Sequence, residues 1–473
     1  MSVENRSDAL ALADRAVAAY EQREFAACES FLEQAAALAP GALDLSAFRL
    51  LAKLKTARGE PDGARAVMQG ALTAHPGKTE FVAAYADTLP PQEAIATLER
   101  HLTDVRDPGR AAYLLLRLTT IRAPLARHAQ NRPADHGLSW PDTFQWPDAA
   151  ALPALKKMLD AEIAAGSRRA TARLDLAYIA VSESDWETAE RHLADLRDGP
   201  KRTPADFTAF GAAFHAGLDG LSEASITDGL APVQRLLDRG GAAGTAFLAS
   251  DPRYFTDFTA PFLRQLEAAQ LPLAVHVHLL DGNDPEWEAA RAVLAAFTHV
   301  KATLTAEASG ANAQGRAYAR NYYHAVRYVR LYQELKRSQQ PMWMLDCDVQ
   351  LLRDPRGFLA SLSSYDLAVR TNPCSFEPML KVTASCVGIS PTERGLEFAR
   401  RVAASIMHWK KQGTWNWGVD QIALFSSYAH MSTTGREPRT RFLDNMAVND
   451  KIGDTGTLRF MSGIDKFAIA SGI

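Results

Sequence analysis

Asp346 and Asp348 stand two residues apart in the run MWMLDCDVQLLRDP, residues 342–355. Carboxylates at i and i+2 lie on the same side of an extended chain, so both can reach one hard cation. The four residues before them, 342–345, are apolar and of strand length, and the chain turns at Asp354-Pro355. Aspartate is a poor strand former and a buried charge is costly unless paired, so the spacing calls for a compensating cation. Cys347 points to the opposite side of the strand, into the core, and is inert there. The plain alternative is a pair of strand-end aspartates capping the following turn. Chance supplies about one Asp-x-Asp triplet in a chain of this size, so the weight rests on the context.

A second set of charges precedes the acidic strand. On a helix over about 316–337, at 100° per residue, Arg316, Arg320, Arg327 and Arg330 fall at about 0°, 40°, 20° and −40°. Tyr323 shares that face and no acidic residue interrupts it. A solvated helix face accounts for most such stripes. A guanidinium facing a diphosphate opposite a carboxylate-held metal is the functional alternative, with Arg320 and Arg327 the central candidates. Downstream, Asp420 and Gln421 in TWNWGVDQIALF lead an apolar helix, and Asp420 has a second reading as the N-cap of that helix.

The elements that must position these groups alternate. Strands are expected at 245–250, 273–282 and 299–307, with helices at 254–270 and 285–297 between them. The long helix and the Asp346 strand follow, then strands at 365–370 and 383–390 and a helix at 391–409. Such alternation predicts an α/β, Rossmann-like, mostly parallel sheet with helices on both faces, whose ligands bind at the carboxyl ends of the strands. Asp251, Asp281 and the Asp346/Asp348 pair all stand at such ends.

The first 200 residues differ, being rich in Ala, Leu and Glu. YEQREFAACESFLEQAAALAP (20–40) aligns with TARGEPDGARAVMQGALTAHP (56–76), pairing Cys28 with Ala64, Ala35 with Ala71 and Pro40 with Pro76, an offset of 76 − 40 = 36. This resembles the tetratricopeptide repeat, with small residues where two helices cross and a closing proline. Segment 181–200 reads as another second helix, YADTLPPQEAIATLERHL as a degenerate copy, and 127–150 as an interruption. A plain helical bundle is the alternative. The expected organisation is an all-α repeat domain over 1–205, a helical linker over 206–240 and the α/β domain over 241–473.

The net charge of −3 gives no reason to expect nucleic-acid binding. Four cysteines without CxxC or zinc spacing fit free thiols in a reducing compartment. The charged N-terminus lacks an apolar signal core, and no apolar run approaches the ~20 residues of a bilayer span, so a cytoplasmic location is expected.

From the Asp346-Cys347-Asp348 triplet, the preceding arginine helix, TASCVGIS followed by PTERG, and Asp420-Gln421, residues 243–470 resemble a GT-A-fold nucleotide-diphospho-sugar glycosyltransferase of the glycogenin and lipopolysaccharide galactosyltransferase group. The resemblance implies that Asp346 and Asp348 hold Mn²⁺ or Mg²⁺ on the diphosphate of a donor such as a UDP-sugar. It implies that Asp251 lies near the nucleoside and that Asp420 and Gln421 face the sugar, with retention of anomeric configuration. In FMSGIDKF (460–467), Gly463 and Lys466 match the group's late His-x-x-Gly-x-x-Lys stretch, and Phe460 replaces the histidine that would be the third metal ligand. Lys466 is then expected on the diphosphate, and His408 or His430 are candidate replacements for the missing ligand. The repeats are expected to recruit a protein or glycan acceptor. The rival reading is a catalytically inactive transferase-fold scaffold; a nucleotide hydrolase is disfavoured because GxxxxGK is absent.

Overall fold

The computed structural model describes residues 3–22, 24–129, 149–166, 169–197, 204–239, 245–372, 375, 377–444 and 458–460. These fall into two compact units, one of residues up to 129 with 149–169, the other of 170–460.

The first unit is helical. It runs through α1 (Val3–Glu21), α2 (Phe25–Leu38), α3 (Leu45–Ala57), α4 (Pro61–Ala74), α5 (Thr79–Ala86), α6 (Pro91–Asp104), α7 (Pro108–Ala129) and the Leu152–Ala164 helix, each packed on the next. α2 and α4 repeat the sequence offset at both ends, since 61 − 25 = 36 and 74 − 38 = 36. The paired small residues Cys28, Ala64, Ala35 and Ala71 are all buried, because a Cβ or a thiol is the most that the helix crossings admit. Local chemistry sets the helix starts. Asp44 accepts a hydrogen bond from the Ala47 amide at 2.9 Å to cap α3, and Pro61 and Pro91 occupy first turns where no amide donor is needed. The interrupting segment 127–150 lies mostly outside the described residues.

The second unit is built on an eight-stranded sheet. In chain order its strands are β1 (Gln234–Asp238), β2 (Thr245–Ser250), β3 (Ala274–Leu280), β4 (Lys301–Glu307), β5 (Met342–Leu345), β7 (Leu367–Thr371), β8 (Val382–Ile389) and β9 (Thr440–Asp444), in the spatial order β1-β4-β3-β2-β5-β8-β7-β9. The short β6 (Val349–Leu351) pairs separately with β10 (Leu458–Phe460), placing the Phe460 backbone opposite Val349. β3 is buried at every position, the pattern of a strand covered on both faces. One face packs on the Ala260–Ala268 and Asp284–Ala295 helices, and the other on Arg316–Ser338, Glu393–Gln412 and Val419–Thr433.

Two expectations are corrected. The sheet is mixed rather than mostly parallel: β4-β3-β2-β5 and β7-β9 pair parallel, whereas β1-β4, β5-β8 and β7-β8 pair antiparallel. The segment 372–381 between β7 and β8 is ten residues long and holds one turn of helix among its described residues, too little for a crossover, so the chain returns antiparallel. The expected boundary at 205/206 also differs from the compact units. Ala177, Val181, Leu193, Phe210 and Leu218 share one apolar core with Ile406 and Phe425, and β1 extends the sheet. The segment expected as a helical linker over 206–240 is therefore part of the second unit.

Candidate functional site

The site lies at the carboxyl ends of the central parallel strands. At the end of β5, the Asp346 amide donates to the Ser385 carbonyl at 2.9 Å, which prolongs the ladder to β8 by one bond. The Asp346 side chain is left 31% exposed. Arg327, on the Arg316–Ser338 helix that leads into β5, reaches it: Nη1 donates to Asp346 Oδ1 at 2.5 Å. Nη2 of the same guanidinium donates to Asp420 Oδ2 at 3.2 Å and to the Ala384 carbonyl at 3.3 Å, while Nε donates to the His324 carbonyl at 3.0 Å. Arg327 and Asp420 are both buried. Although burial disfavours its charge, Asp346 and Asp420 hold the guanidinium protonated well above the ordinary arginine value. One buried cation thus joins two carboxylates that the sequence separates by 74 positions, 420 − 346.

Asp348 is held from the other side. Tyr254 Oη donates to Asp348 Oδ2 at 3.1 Å. Tyr254 is placed by Asp251, whose side chain accepts from the Tyr254 amide at 2.7 Å and caps the turn after β2. Asp251 is therefore a positioning residue for the neighbour of Asp348. Between the two aspartates, Cys347 faces the core: its thiol donates to the Ala249 carbonyl at 3.0 Å, and burial pushes it up to about 12.

Asp420 is not a helix cap. Gly418, at φ +90°, begins the Val419–Thr433 helix, and Asp420 stands in its first turn, with Oδ1 accepting from the Gln421 amide at 2.9 Å. Gln421 is half-buried beside it. The arginine stripe divides. Arg316 and Arg320 are exposed, whereas Arg330 is buried against Glu307. Asp281 is also removed from the chemistry. At φ +66° it ends β3 and accepts from Ser309 Oγ at 2.6 Å, the Gly310 amide at 2.8 Å, the Asn312 amide at 3.2 Å and Tyr323 Oη at 2.8 Å. Desolvation works to raise its pKa, but those four donors hold it below the usual carboxylate range.

The two histidines considered as replacement ligands lie elsewhere. His430 stacks on His215 at 4.1 Å, and His408 packs edge-on to Phe214 at 5.3 Å, within the helical layer. Lys466 lies outside the described residues, as does the side chain of Phe460. Sequence reading missed three groups. Tyr254 was legible as the third residue after a strand-end aspartate. His324, one helical turn before Arg327, has burial first and the Arg327 charge second keeping it neutral, opposed by Asp420 and Asp346. Arg370 on β7, whose Nη1 donates to Ser385 Oγ at 2.7 Å, stands behind the Asp346 strand and carried no signal before the β7-β8 pairing was known.

Two carboxylates with oxygen donors suit a hard divalent ion, but each is already engaged by a hydrogen-bond donor. Among the described residues no group of three His, Cys, Asp or Glu side chains is placed to hold a metal. The donor set fits a cation only when a ligand such as a diphosphate supplies the remaining oxygens.

No protein-family model matches the chain, and no curated protein matches it. Among solved structures, a similar chain is YrrB, described as a TPR protein with an unusual peptide-binding site: identity is 14%, 41% of this chain and 88% of that chain are covered, and the TM-score is 0.21. A likeness of that size establishes neither a shared function nor a shared site.

Proposed function

We propose that the sheet unit is a metal-dependent glycosyltransferase that moves a sugar from a nucleotide-diphospho-sugar to a protein or glycan acceptor, with the helical unit recruiting that acceptor. The observation that supports it best is the joining of Asp346 and Asp420 by buried Arg327, with Asp348 fixed by Tyr254, at the carboxyl edge of the parallel strands. Of the other strand-end aspartates, Asp281 is bonded by four donors of its own turn, and Asp251, whose Oδ1 caps the turn after β2, would lie near the nucleoside.

In this reading Asp346 and Asp348 would hold Mn²⁺ or Mg²⁺, which would supply Lewis acidity to the diphosphate leaving group. Arg327 fixes Asp346 and Asp420 in place. Asp420 and Gln421 face the sugar, and the exposed Arg320 or Lys466 meets the diphosphate. The anomeric C–O bond to phosphate breaks with its electron pair leaving on the diphosphate. The acceptor hydroxyl forms the new bond, and its proton passes to the departing phosphate oxygen. Retention of configuration is the stereochemistry expected from the sequence resemblance.

The test is calorimetric titration of Mn²⁺ with and without UDP, alongside hydrolysis of a panel of nucleotide-sugars. Metal binding is expected to be weak alone and at least tenfold tighter with the nucleotide. Asp346→Asn and Asp348→Asn should remove both the tightening and the hydrolysis while remaining folded. Neither metal binding nor donor hydrolysis under any of these conditions would favour the inactive-scaffold reading.

A further inference from the structure

A cavity of about 440 Å³ opens in the second unit under the 227–233 segment that leads into β1. Its floor is His276 and His278 on β3 with Thr305 on β4, and its far wall is the C-terminal half of the Arg316–Ser338 helix. Its size is that of small-molecule sites. Arg330 fastens the covering segment, donating from Nη2 to the Ala231 carbonyl at 2.7 Å.

The floor has a defined polarity. Thr305 Oγ1 lies 2.8 Å from both His276 Nε2 and His278 Nδ1, and a hydroxyl can donate only one proton. His276 Nδ1 is 3.3 Å from Glu334 Oε1, a pure acceptor, so the His276 proton sits on Nδ1. Thr305 therefore donates to His276 and accepts from His278 Nδ1. His278 Nε2 is left as a buried lone pair with no hydrogen-bond partner among the described residues; Glu307 Oε2 is 3.9 Å away, beyond hydrogen-bond reach. Burial keeps both rings neutral, which preserves that lone pair. Arg330 Nε–H is likewise buried without an acceptor. His278 Nε2 and Arg330 Nε have almost no accessible surface, so the hydroxyl-binding groups that a ligand can reach are the Gln333 amide and the Glu334 carboxylate on the wall.

The charged side chains on the wall are three guanidiniums, Arg235, Arg330 and Arg337, and one carboxylate, Glu334. Glu334 already accepts from Arg235, Arg337 and His276, while Glu307 and Asp238 pair with the arginines from outside the wall. A ligand entering here meets the more exposed guanidiniums of Arg235 and Arg337, with Gln333 and Glu334 beside them to bind hydroxyls. We propose that this cavity is a binding site for a small hydroxylated anion of the sugar-phosphate or sugar-acid class, separate from the Asp346 site. The proposal does not depend on the transferase reading.

Isothermal titration of the full-length protein with glucose 6-phosphate, gluconate, inorganic phosphate and glucose tests it. Binding of either hydroxylated anion is expected, at least tenfold tighter than of phosphate or glucose, the tighter of the two identifying the head group. Val233→Trp plugs the mouth from a position that is 42% exposed, and with Arg337→Gln it should weaken that binding at least tenfold without loss of fold. Asp346→Asn should leave it within twofold. No binding of either anion, equal binding of glucose alone, unchanged binding by folded Val233→Trp, or loss of binding in Asp346→Asn would each overturn the proposal.

Discussion

Arg327 is the residue on which the candidate site turns. Its guanidinium makes four hydrogen bonds to Asp346, Asp420 and two carbonyls, and only 6% of the residue is exposed. A buried pair of this kind adds little compared with an apolar replacement, but breaking it from one side leaves charge uncompensated. Arg327→Gln keeps a planar amide near the same place and removes the cation, so Asp346 and Asp420 then face each other without a counter-charge. Urea unfolding is expected to show a loss of about 3–5 kcal/mol. Arg320→Gln, on the same helix stripe but exposed, should change stability by less than about 0.5 kcal/mol. Equal effects of the two substitutions would show that the buried triad does not organise this edge of the sheet. The contrast also marks what periodicity can tell: both arginines lie within 20° of each other on a helical wheel. Only the packing of the helix onto β5 and the Val419–Thr433 helix decides which one is buried.

At the scale of elements, Glu267 shows how a helix is tied to its sheet. It ends the Ala260–Ala268 helix and accepts from the Thr298 amide at 2.8 Å, Thr298 Oγ1 at 2.6 Å, the His299 amide at 3.0 Å and the Val300 amide at 2.9 Å, fixing the turn into β4. Partial desolvation works against its charge, but these donors outweigh it and lower the carboxyl from 4.5 to about 2. A pKa depressed on folding adds stability that is present above the unfolded value of 4.5 and is lost as pH falls toward about 2. Glu267→Gln should therefore lower the Tm at pH 7, with the gap to wild type closing between about pH 4.5 and 2 in scanning calorimetry. A gap constant across that range would separate Glu267 from the turn. This tie was not legible, since Glu267 and Val300 are 33 positions apart and neither belongs to a motif. The elements themselves were: all six strands read from apolar runs after residue 240 occur within a few residues of their expected ends. Strand direction was not, because an apolar run is the same read either way, and only the short 372–381 connection distinguishes antiparallel β8 from a crossover partner. β1 was missed because QRLLD is amphipathic and half-exposed, with no turn signal of its own.

On the scale of the whole chain, the division of labour depends on where the second unit begins. The sequence placed the cut near 240, where glycines cluster and strand–helix alternation starts. The structure joins the Arg169–Ser182, Trp186–Arg197 and Ala212–Asp219 helices to the sheet unit through a common core, with Phe210 edge-on to Phe425 at 5.8 Å. Polar ties reinforce this: Arg401, itself buried, pairs with Asp219, and Ser426 Oγ donates to the Ala209 carbonyl at 2.7 Å. Removing residues up to 238 would strip β1 from the sheet edge and uncover Ile406, Phe425 and the buried guanidinium of Arg401. Exposing a core of that kind, with Arg401 left to Glu397 alone, exceeds the few kcal/mol by which domains are ordinarily stable. A chain of 239–473 is therefore expected to aggregate, whereas a chain of 170–473 keeps its core and gives a cooperative unfolding transition with a Tm within a few degrees of the full-length protein. In the transferase reading, the 170–473 chain should hydrolyse the donor at the wild-type rate, while transfer to the native acceptor falls at least tenfold, since the helices that recruit it are gone. Size-exclusion chromatography and calorimetry decide the first part. A soluble, cooperatively folded 239–473 chain would show that the 170–238 segment is an accessory to the sheet, and undiminished transfer by 170–473 would free the repeats for a different partner.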